Sequence, residues 1–544
     1  MADNMEGNIH IKTQAGKYKA DWTPLELSYP LISANSPIPI QVGWNGVSND
    51  MNNYVASLEG DVVNVIVDIY MGNLHDDSSA IPNMIHVASI SKAKDLPYVE
   101  SLFSNPNTPW QWFTFDIQPI CADLLSYTLC PAGKGTIASP NYGGLNGGKV
   151  GNIVSGLTSP IKSSLGAFRW IDFQVTAQVL DANLQLTDWV DTGSGVKLYK
   201  KGKSFAIINN VQQWTDAHNC EKYRMDGGHL TERQEKEFFT NCPNFDRTGT
   251  HKTEYTKPVK LADDSEFLHF YIDGGLVKAN GDKDMRDMGI KITSDDSDVM
   301  YLQDFFSNLG VSAITNATDI DFKRYCIQNV SPQTILATDP SFSFGAGSYR
   351  AVLVMQRTTG MGWQEVSETR YYKLDTEDAS PYDDVRFHWL NRAGGIDSYT
   401  AKRNVIEGVS VSKSTIEKTV GQRMFLKELP ILTGDDNGSG TYQPSTNVFN
   451  VDASKTNSVY TEPLNKGVAK WLEELITSPN VWIELENEAS LRANSDTGHA
   501  NPSTSNYFPV IITNNSIDTV DEEKGLVKFN IEYSHSHKIN TQRN

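Results

Sequence analysis

The sequence predicts a mainly β protein, with several β-sandwich or immunoglobulin-like modules in series and a C-terminal α+β module. Three observations support this fold class. Aromatic residues, which favour strands, make up 10% of the 544 residues. Short runs of β-branched and aromatic residues, such as 62–70 and 168–180, recur between clusters of Gly, Asn, Ser and Pro. Helical patterns between these runs are scarce, which favours antiparallel sheets over a parallel α/β sheet.

Residues 1–20 are polar and predict an N-terminal arm, and residues 21–209 predict a β-sandwich domain. The strands expected in this domain are residues 38–42, 62–70, 110–117, 168–180, 196–199 and 205–208. In the run 62–70, every second residue from 63 to 69 is apolar, whereas the residues between them are mixed. Because side chains alternate between the two faces of a strand, this pattern predicts one buried face.

Residues 210–260 are polar and have no strand periodicity, so we interpret them as an irregular linker or excursion between two β domains. Within this segment, residues 231–239 predict a short charged helix with Thr231 as its N-cap.

Residues 261–380 predict an immunoglobulin-like β domain that lacks the disulfide. Alternating strands are expected at 267–272, before a turn at 273–275, and again at 348–356. A glycine turn, a tryptophan and a Tyr-rich strand follow, an order typical of such sandwiches. The spacing of apolar residues in 300–309 predicts a helix that covers the sheet.

Residues 381–544 predict the α+β module. It opens with a hairpin whose strands are 385–390 and 396–400, and the apolar-poor stretch 434–460 predicts a long surface loop. A helix is then expected, with Thr461 as its cap, a proline in its first turn and one apolar stripe. The strands expected after this helix are residues 481–485, 508–512 and 526–533.

The formal charge of −19 opposes binding along a phosphate backbone, so we expect no direct nucleic-acid binding. The densest basic run, residues 197–203, is interpreted as a solvated hairpin end. Residues 1–20 lack the apolar core of a signal peptide, and no run reaches the roughly 18 apolar residues of a membrane span. The odd, scattered set of cysteines does not predict a disulfide framework: Cys121, Cys130, Cys220, Cys242 and Cys326. We therefore expect folding in a cytoplasm, without a membrane partner.

Two local patterns approach a nucleotide or metal motif without completing it. Residues 143–150 approach a phosphate-binding P-loop, but Val150 stands where a hydroxyl must bind magnesium. Four potential zinc ligands lie in one irregular stretch: His218, Cys220, His229 and Cys242. The closest two are separated by one residue, whereas structural zinc sites use pairs separated by two to four. We interpret the first pattern as a flexible glycine loop and the second as ordinary loop side chains.

Other chemically competent residues also lack a recognisable site pattern. The acidic turns match no EF-hand and are interpreted as solvated: residues 263–264, 295–298, 383–384 and 435–437. His535 and His537 alternate at the end of the last expected strand. The sequence contains no G-x-S-x-G motif, which would indicate a catalytic nucleophile. We assign no catalytic, cofactor-binding or metal-binding residue and expect no enzymatic activity.

The C-terminal third carries a family resemblance. Residues 387–399 read F-H-W-L-N-R-A-G-G-I-D-S-Y and contain a W-L-N-x-x-G-G-x-D-(S/T) pattern, and residues 469–479 form the amphipathic helix. With the strands at 508–512 and 527–533, this region resembles virion structural proteins of tailed phages that infect Bacteroidetes, especially the crAss-like group. The resemblance implies a subunit of a symmetric ring in the neck or tail, assembled in the host cytoplasm. Its implied partners are copies of itself and other neck, tail and portal proteins.

Two other function classes remain open. The first is a carbohydrate-binding or receptor-binding tail adhesin, in which exposed tryptophans would stack on sugars. The candidates, which would otherwise fill sandwich cores, are Trp110, Trp112, Trp170 and Trp214. The second is a cell-wall glycoside hydrolase, which needs only two carboxylates at the right separation.

Overall fold

The computed structural model describes the chain in segments. They are residues 9–13, 31–44, 62–72, 84–93, 111–125, 161–163, 168–180, 185–188, 199–202, 205–211, 220–225, 236–243, 256–261, 264–276, 287–296, 299–302, 320–345, 347–356, 363–375, 384–417, 446–484, 507–514 and 526–535. The prediction of a mainly β protein is confirmed. The sandwich and immunoglobulin-like character of individual modules stays a prediction.

The first thirteen strands are β1 (Ile9–Thr13), β2 (Leu31–Ser33), β3 (Pro39–Trp44), β4 (Val62–Gly72), β5 (Met84–Ala93), β6 (Gln111–Asp116), β7 (Ile161–Ser163), β8 (Phe168–Leu180), β9 (Leu186–Asp188), β10 (Lys200–Lys201), β11 (Phe205–Ile208), β12 (Arg224–Met225) and β13 (Lys257–Lys260). The others are β14 (Phe267–Leu276), β15 (Asp287–Ser294), β16 (Val299–Leu302), β17 (Ile320–Asn329), β18 (Ser348–Gln356), β19 (Gln364–Asp375), β20 (Val385–Leu390), β21 (Ile396–Ala401), β22 (Arg403–Glu417), β23 (Thr446–Tyr460), β24 (Val481–Glu484), β25 (Tyr507–Ile512) and β26 (Asn530–His535). The α-helices are α1 (Gln118–Asp123), α2 (Pro332–Thr338) and α3 (Lys466–Thr477), and a 3-10 turn spans Cys220–Tyr223.

The chain divides into two compact units. Unit 1 comprises residues 1–376, 390–397 and 489–505, and unit 2 comprises residues 377–389, 398–488 and 506–544. None of the helices in the described ranges has the length and apolarity needed to cross a membrane.

The first half of unit 1 contains two sheets around one apolar core. Their strand orders are β1-β3-β6 and β2-β11-β8-β4-β5, with β9 and β10 also paired to β8. Strand β4 shows how the alternating sequence determines which face of a strand is buried. Val65, Val67 and Ile69 are buried in the core, whereas the residues between them are partly exposed. The predicted one-sided burial of this strand is confirmed.

The second half of unit 1 contains a separate core between two further sheets. Their orders are β12-β14-β17-β7 and β13-β19-β18-β15-β16, and the core also takes in Ile335 of α2. Most pairs are antiparallel, but β12–β14 and β13–β19 are parallel. The aromatic residues Tyr349 and Tyr372 stack at 4.9 Å between ring centroids within this core. The tyrosine-rich strand predicted here is therefore a core strand.

Unit 2 is organised by a seven-strand sheet in the order β21-β20-β24-β25-β26-β23-β22. The two strands at the ends of this order, β21 and β22, are consecutive in the chain and separated only by Lys402. One continuous stretch of chain therefore supplies both end strands of this order. The pairing of β22 with β23 has a register shift between Arg403 and Ile406.

Helix α3 supplies the apolar residues that pack inside unit 2. Its N-cap is Asn465, whose side-chain oxygen accepts a hydrogen bond from the Val468 amide at 2.9 Å. The predicted cap, Thr461, instead accepts a hydrogen bond from the Phe529 amide. Trp471 is buried and lies 5.1 Å from Trp389, centroid to centroid. The predicted apolar stripe of this helix therefore does face the core.

Four further expectations are wrong where the structure describes them. Residues 446–460 form β23, because pairing with β22 along the whole strand overrides their polar composition. Residues 273–275 continue β14 instead of turning, since each pairs with a residue of β17. Residues 236–239 are not helical, because Lys236 bridges to Ser367 and the side chains of Phe238 and Phe239 are buried. Residues 300–302 belong to β16 and not to a helix.

Replacement of Trp471 tests the packing of α3. Trp471→Ala leaves a cavity against Trp389, so we expect the free energy of unfolding of unit 2 to fall by about 3–5 kcal/mol. Thermal or denaturant unfolding followed by circular dichroism measures the change. Lys470→Ala, one residue away on the exposed side of the helix, is the control and should change stability by less than about 0.5 kcal/mol. Equal losses in both variants would contradict the assigned packing.

Candidate functional site

The turn at 391–395, which carries the glycine-rich pattern, is fixed by hydrogen bonds within unit 1. The Asn391 side-chain nitrogen donates to the Phe239 carbonyl at 2.9 Å, and its side-chain oxygen accepts from the Gly395 amide at 2.9 Å. The Val211 amide donates to the Arg392 carbonyl at 2.8 Å. The asparagine thus shapes its own turn and attaches it to the 238–243 segment.

Two glycines of this turn stand where no other residue fits. Gly394 has a φ of +97°, and a Cβ on it would lie 2.8 Å from the Asn209 carbonyl oxygen. A Cβ on Gly395 would lie 2.1 Å from the Phe239 carbonyl oxygen. Because both obstacles are backbone atoms, they cannot rotate away. The pattern N-x-x-G-G is therefore explained by close backbone packing and not by ligand binding.

A cluster of buried ionisable side chains lies next to this turn, also within unit 1. Lys257 and Glu266 form an ion pair with 2.6 Å between Nζ and Oε1, and each side chain is less than a tenth exposed. Arg370 and Glu368 form a second buried pair at 3.5 Å. Buried charges persist only when they are paired and hydrogen-bonded. The first pair therefore holds β13 against the residue that precedes β14, whereas both members of the second pair lie on β19.

Thr240 connects this cluster to the turn. Its hydroxyl donates to Asp397 at 2.5 Å and accepts hydrogen bonds from the Cys242 amide and from Arg370. Arg370 also donates to the Cys242 carbonyl at 3.0 Å. A cavity of about 20 Å³ lies among these groups and the Lys257–Glu266 pair, which is room for about one water molecule.

The protonation states of this cluster oppose a catalytic role. Burial raises the pKa of the Cys242 thiol to about 12, so the thiolate required of a nucleophile does not form near neutral pH. Burial, assisted by the nearby Lys257 cation, lowers the pKa of His269 to about 3. The imidazole is therefore neutral and enclosed. This arrangement holds segments together and offers a substrate only a water-sized space.

Unit 2 has a second buried polar cluster, on β20, β21 and β24. His388 and Arg386 both contact the Oε2 atom of Glu484, at 3.0 and 3.5 Å. Arg386 also donates to the hydroxyls of Ser398 and Thr400, each at 2.8 Å. Arg386 thus contacts three polar side chains on the neighbouring strands β21 and β24. They account for the serine of the sequence pattern as a packing feature, whereas its aspartate, Asp397, accepts the hydrogen bond from Thr240.

An open groove of about 710 Å³ lies on unit 1. It follows β15, β18 and β19, and its lining is polar, with Asp295, Arg350 and Lys373 as charged members and Tyr371 as an aromatic one. Its volume lies in the range of small-molecule sites. Such sites are usually lined mainly by apolar groups, whereas most residues that line this groove are polar or charged.

The most exposed apolar side chains of unit 2 lie on a two-stranded ribbon formed by β22 and β23. Strand β26 pairs with β23 only over Thr456–Tyr460, so residues 408–417 and 446–455 extend past the sheet as a pair. Ten residues of strand span roughly 33 Å. Val409 is 63% exposed and Phe449 is 71% exposed. We call residues 408–417 and 446–455 the ribbon.

The structure describes some of the residues considered from the sequence. Cys220 and Cys242 are buried thiols, and the other two potential zinc ligands considered, His218 and His229, lie outside the described residues. Within the described ranges, no three His, Cys, Asp or Glu residues form a group that could hold a metal ion. The glycine loop at 143–150 also lies outside the described residues.

The tryptophans proposed for sugar stacking are described only in part. Trp170 is buried, so it presents no face to a sugar. The side chain of Trp112 and all of Trp110 and Trp214 lie outside the description. Among the acidic turns, Asp264 is buried and accepts a hydrogen bond from the Lys260 amide at 2.8 Å, whereas Asp295 and Asp296 are exposed. The side chain of His535 and all of His537 lie outside the description.

Sequence reasoning missed both the ionic cluster and the ribbon. Members of the cluster are up to 157 positions apart, as with Thr240 and Asp397, so no local spacing reveals them. The ribbon had a usable signal. The alternation Val409-Ser410-Val411-Ser412 is the pattern of a strand with one apolar face. No family model matches this sequence, and no curated protein is significantly similar to it.

Substitution of Gly395 tests the close approach of the turn. In Gly395→Ala the new methyl group meets the Phe239 carbonyl, so we expect a loss of about 2–4 kcal/mol in the free energy of unfolding of unit 1. Gly467→Ala, the same chemical change at an exposed helical position, should be neutral or stabilising by up to about 1 kcal/mol. Denaturant unfolding measures both. An alanine at 395 that costs nothing would contradict the packing described here.

The buried imidazole predicts a pH dependence of stability. The unfolded chain protonates His269 near pH 6.5, whereas the folded chain does so only near pH 3. Between these values the unfolded state binds the extra proton, so stability falls as pH falls, by up to about 1.4 kcal/mol per pH unit. Denaturant unfolding at pH 7, 5.5 and 4 checks this against His269→Gln, which cannot titrate. As pH falls, the free energy of unfolding of the wild type should decrease more than that of the variant. Equal decreases in the two proteins would contradict the assignment.

Proposed function

We propose that this chain is a structural subunit of a tailed-phage virion, present in several copies in a symmetric ring of the neck or tail. It acts by protein–protein packing and makes or breaks no bond. Its proposed partners are identical copies and the neighbouring neck, tail and portal proteins. It assembles in the host cytoplasm and ends in the virion.

The ribbon is the observation that carries this proposal. A two-stranded ribbon is marginally stable alone in water, and its exposed apolar side chains gain free energy when another surface covers them. Large exposed apolar patches on soluble proteins mark interaction sites. The resemblance of residues 387–399 to phage virion proteins gives the class of assembly, and the glycine turn explains that pattern as structural.

Imaging of the purified full chain tests the function. We expect negative-stain micrographs to show closed rings with one fixed number of copies. Rings form when each copy presents the same two complementary surfaces and the rotation between copies divides a full turn. Single particles of one copy at every concentration, together with turnover of a cell-wall polysaccharide, would replace the proposal with the hydrolase.

One observation favours the adhesin as the second candidate. The 710 Å³ groove places Tyr371 beside Arg350 and Asp295, a mixture of aromatic and hydrogen-bonding groups that suits a sugar. A glycan array probed with the full chain separates the two functions. Binding that is lost in Tyr371→Ala and retained in Lys413→Ala, a ribbon variant, would support the adhesin.

A further inference from the structure

The two faces of the ribbon differ in chemistry. Residues directly opposite in an antiparallel pair share a face, and successive residues alternate. On the same face as Val409, Val411 is paired with Ala453 and Lys413 with Val451. Val409 itself is paired with Lys455, so the apolar centre of this face lies between two lysine positions. The other face carries Ser412 opposite Asp452 and other short polar residues. The ribbon is therefore amphipathic. Its apolar face is uncovered, since Val409 and Val411 are at least half exposed.

The charge of the ribbon differs from that of the whole chain. Its twenty residues contain two lysines, one glutamate and one aspartate, so they are neutral in a chain of formal charge −19. Two copies of an acidic protein repel each other through most of their surface. The repulsion is smallest where the surface is neutral. The ribbon is also poorly suited to a basic or nucleic-acid partner, because it offers no net charge for either to recognise.

The area of the apolar face is small for a single contact between two proteins. A ribbon of roughly 33 Å by 10 Å buries roughly 650 Å² when both partners are counted. A stable pair of proteins usually needs about 1,200–2,000 Å². In a closed ring each interface still buries roughly 650 Å², but removal of one copy must break two of them, because each copy both gives a ribbon and receives one.

From these three observations we infer that the Val409–Val411 face of the ribbon packs on a second copy of this chain. The inference rests on the proposed ring function and names the partner of the ribbon. Each ribbon inserts its apolar face against the next copy and leaves its serine face toward solvent. The contact is head-to-tail, so it repeats until the ring closes.

A matched pair of double variants of the full chain tests the inference. Val409→Asp with Val411→Asp places two charges on the apolar face, whereas Ser410→Asp with Ser412→Asp places them on the opposite face of the same strand. Sedimentation velocity over a range of concentrations measures assembly. We expect the first variant to need at least a tenfold higher concentration for half-assembly than the wild type, and the second to stay within about threefold of it, because a charge on a buried apolar face must be desolvated.

A photocrosslinking amino acid keeps the test independent of folding in the aspartate variants. Placed at position 411 of an otherwise wild-type chain, it should yield a product of two chains, and placed at position 412 it should yield little. A crosslink within one chain at position 411 would overturn the inference, because the chain's own residues would then cover the face. If the Val409/Val411 variant forms rings at the same concentration as the wild type, the ribbon contact is wrong and the ring function stands. A wild-type chain that stays monomeric overturns both.

Discussion

The close approach of two backbone segments in unit 1 is the constraint on which the described polar architecture depends. The carbonyl of Phe239 lies where a Cβ of Gly395 would be, and Asn391 donates to the same carbonyl. Two residues further along, Asp397 accepts the hydrogen bond of Thr240 and so meets the ionic cluster. Glycine-rich turns in other proteins can bind phosphate. In this chain the glycine-rich turn brings buried charged residues together.

The two polar clusters make the interior of this protein unusually specific for an all-β core. Ion pairs such as Lys257–Glu266 add little net stability compared with apolar residues of the same size, because both charges lose their hydration. Removing one partner is costly, however, and so is any alternative packing that separates them. The clusters therefore penalise mispairing of strands. This matters in a chain whose many β segments offer each other numerous similar edges.

The sequence predicted local elements well and their partners poorly. The runs 168–180, 205–208, 348–356 and 385–390 match strands at both ends, because alternation and β-branched residues report burial directly. Residues 446–460 were expected to be a loop, since Asn, Ser and Thr dominate a strand that gains its stability from pairing with β22. The charged residues at 257, 266, 368, 370 and 397 resemble surface residues when read singly. Only the fold brings them together.

The position of β26 governs when unit 2 is completed during synthesis. This strand lies between β25 and β23, yet it follows both in the chain. Until the ribosome has released Asn530–His535, residues 456–460 of β23 lack one of their two neighbouring strands. The protruding β22–β23 pair therefore gains its anchoring strand only when synthesis reaches this last strand.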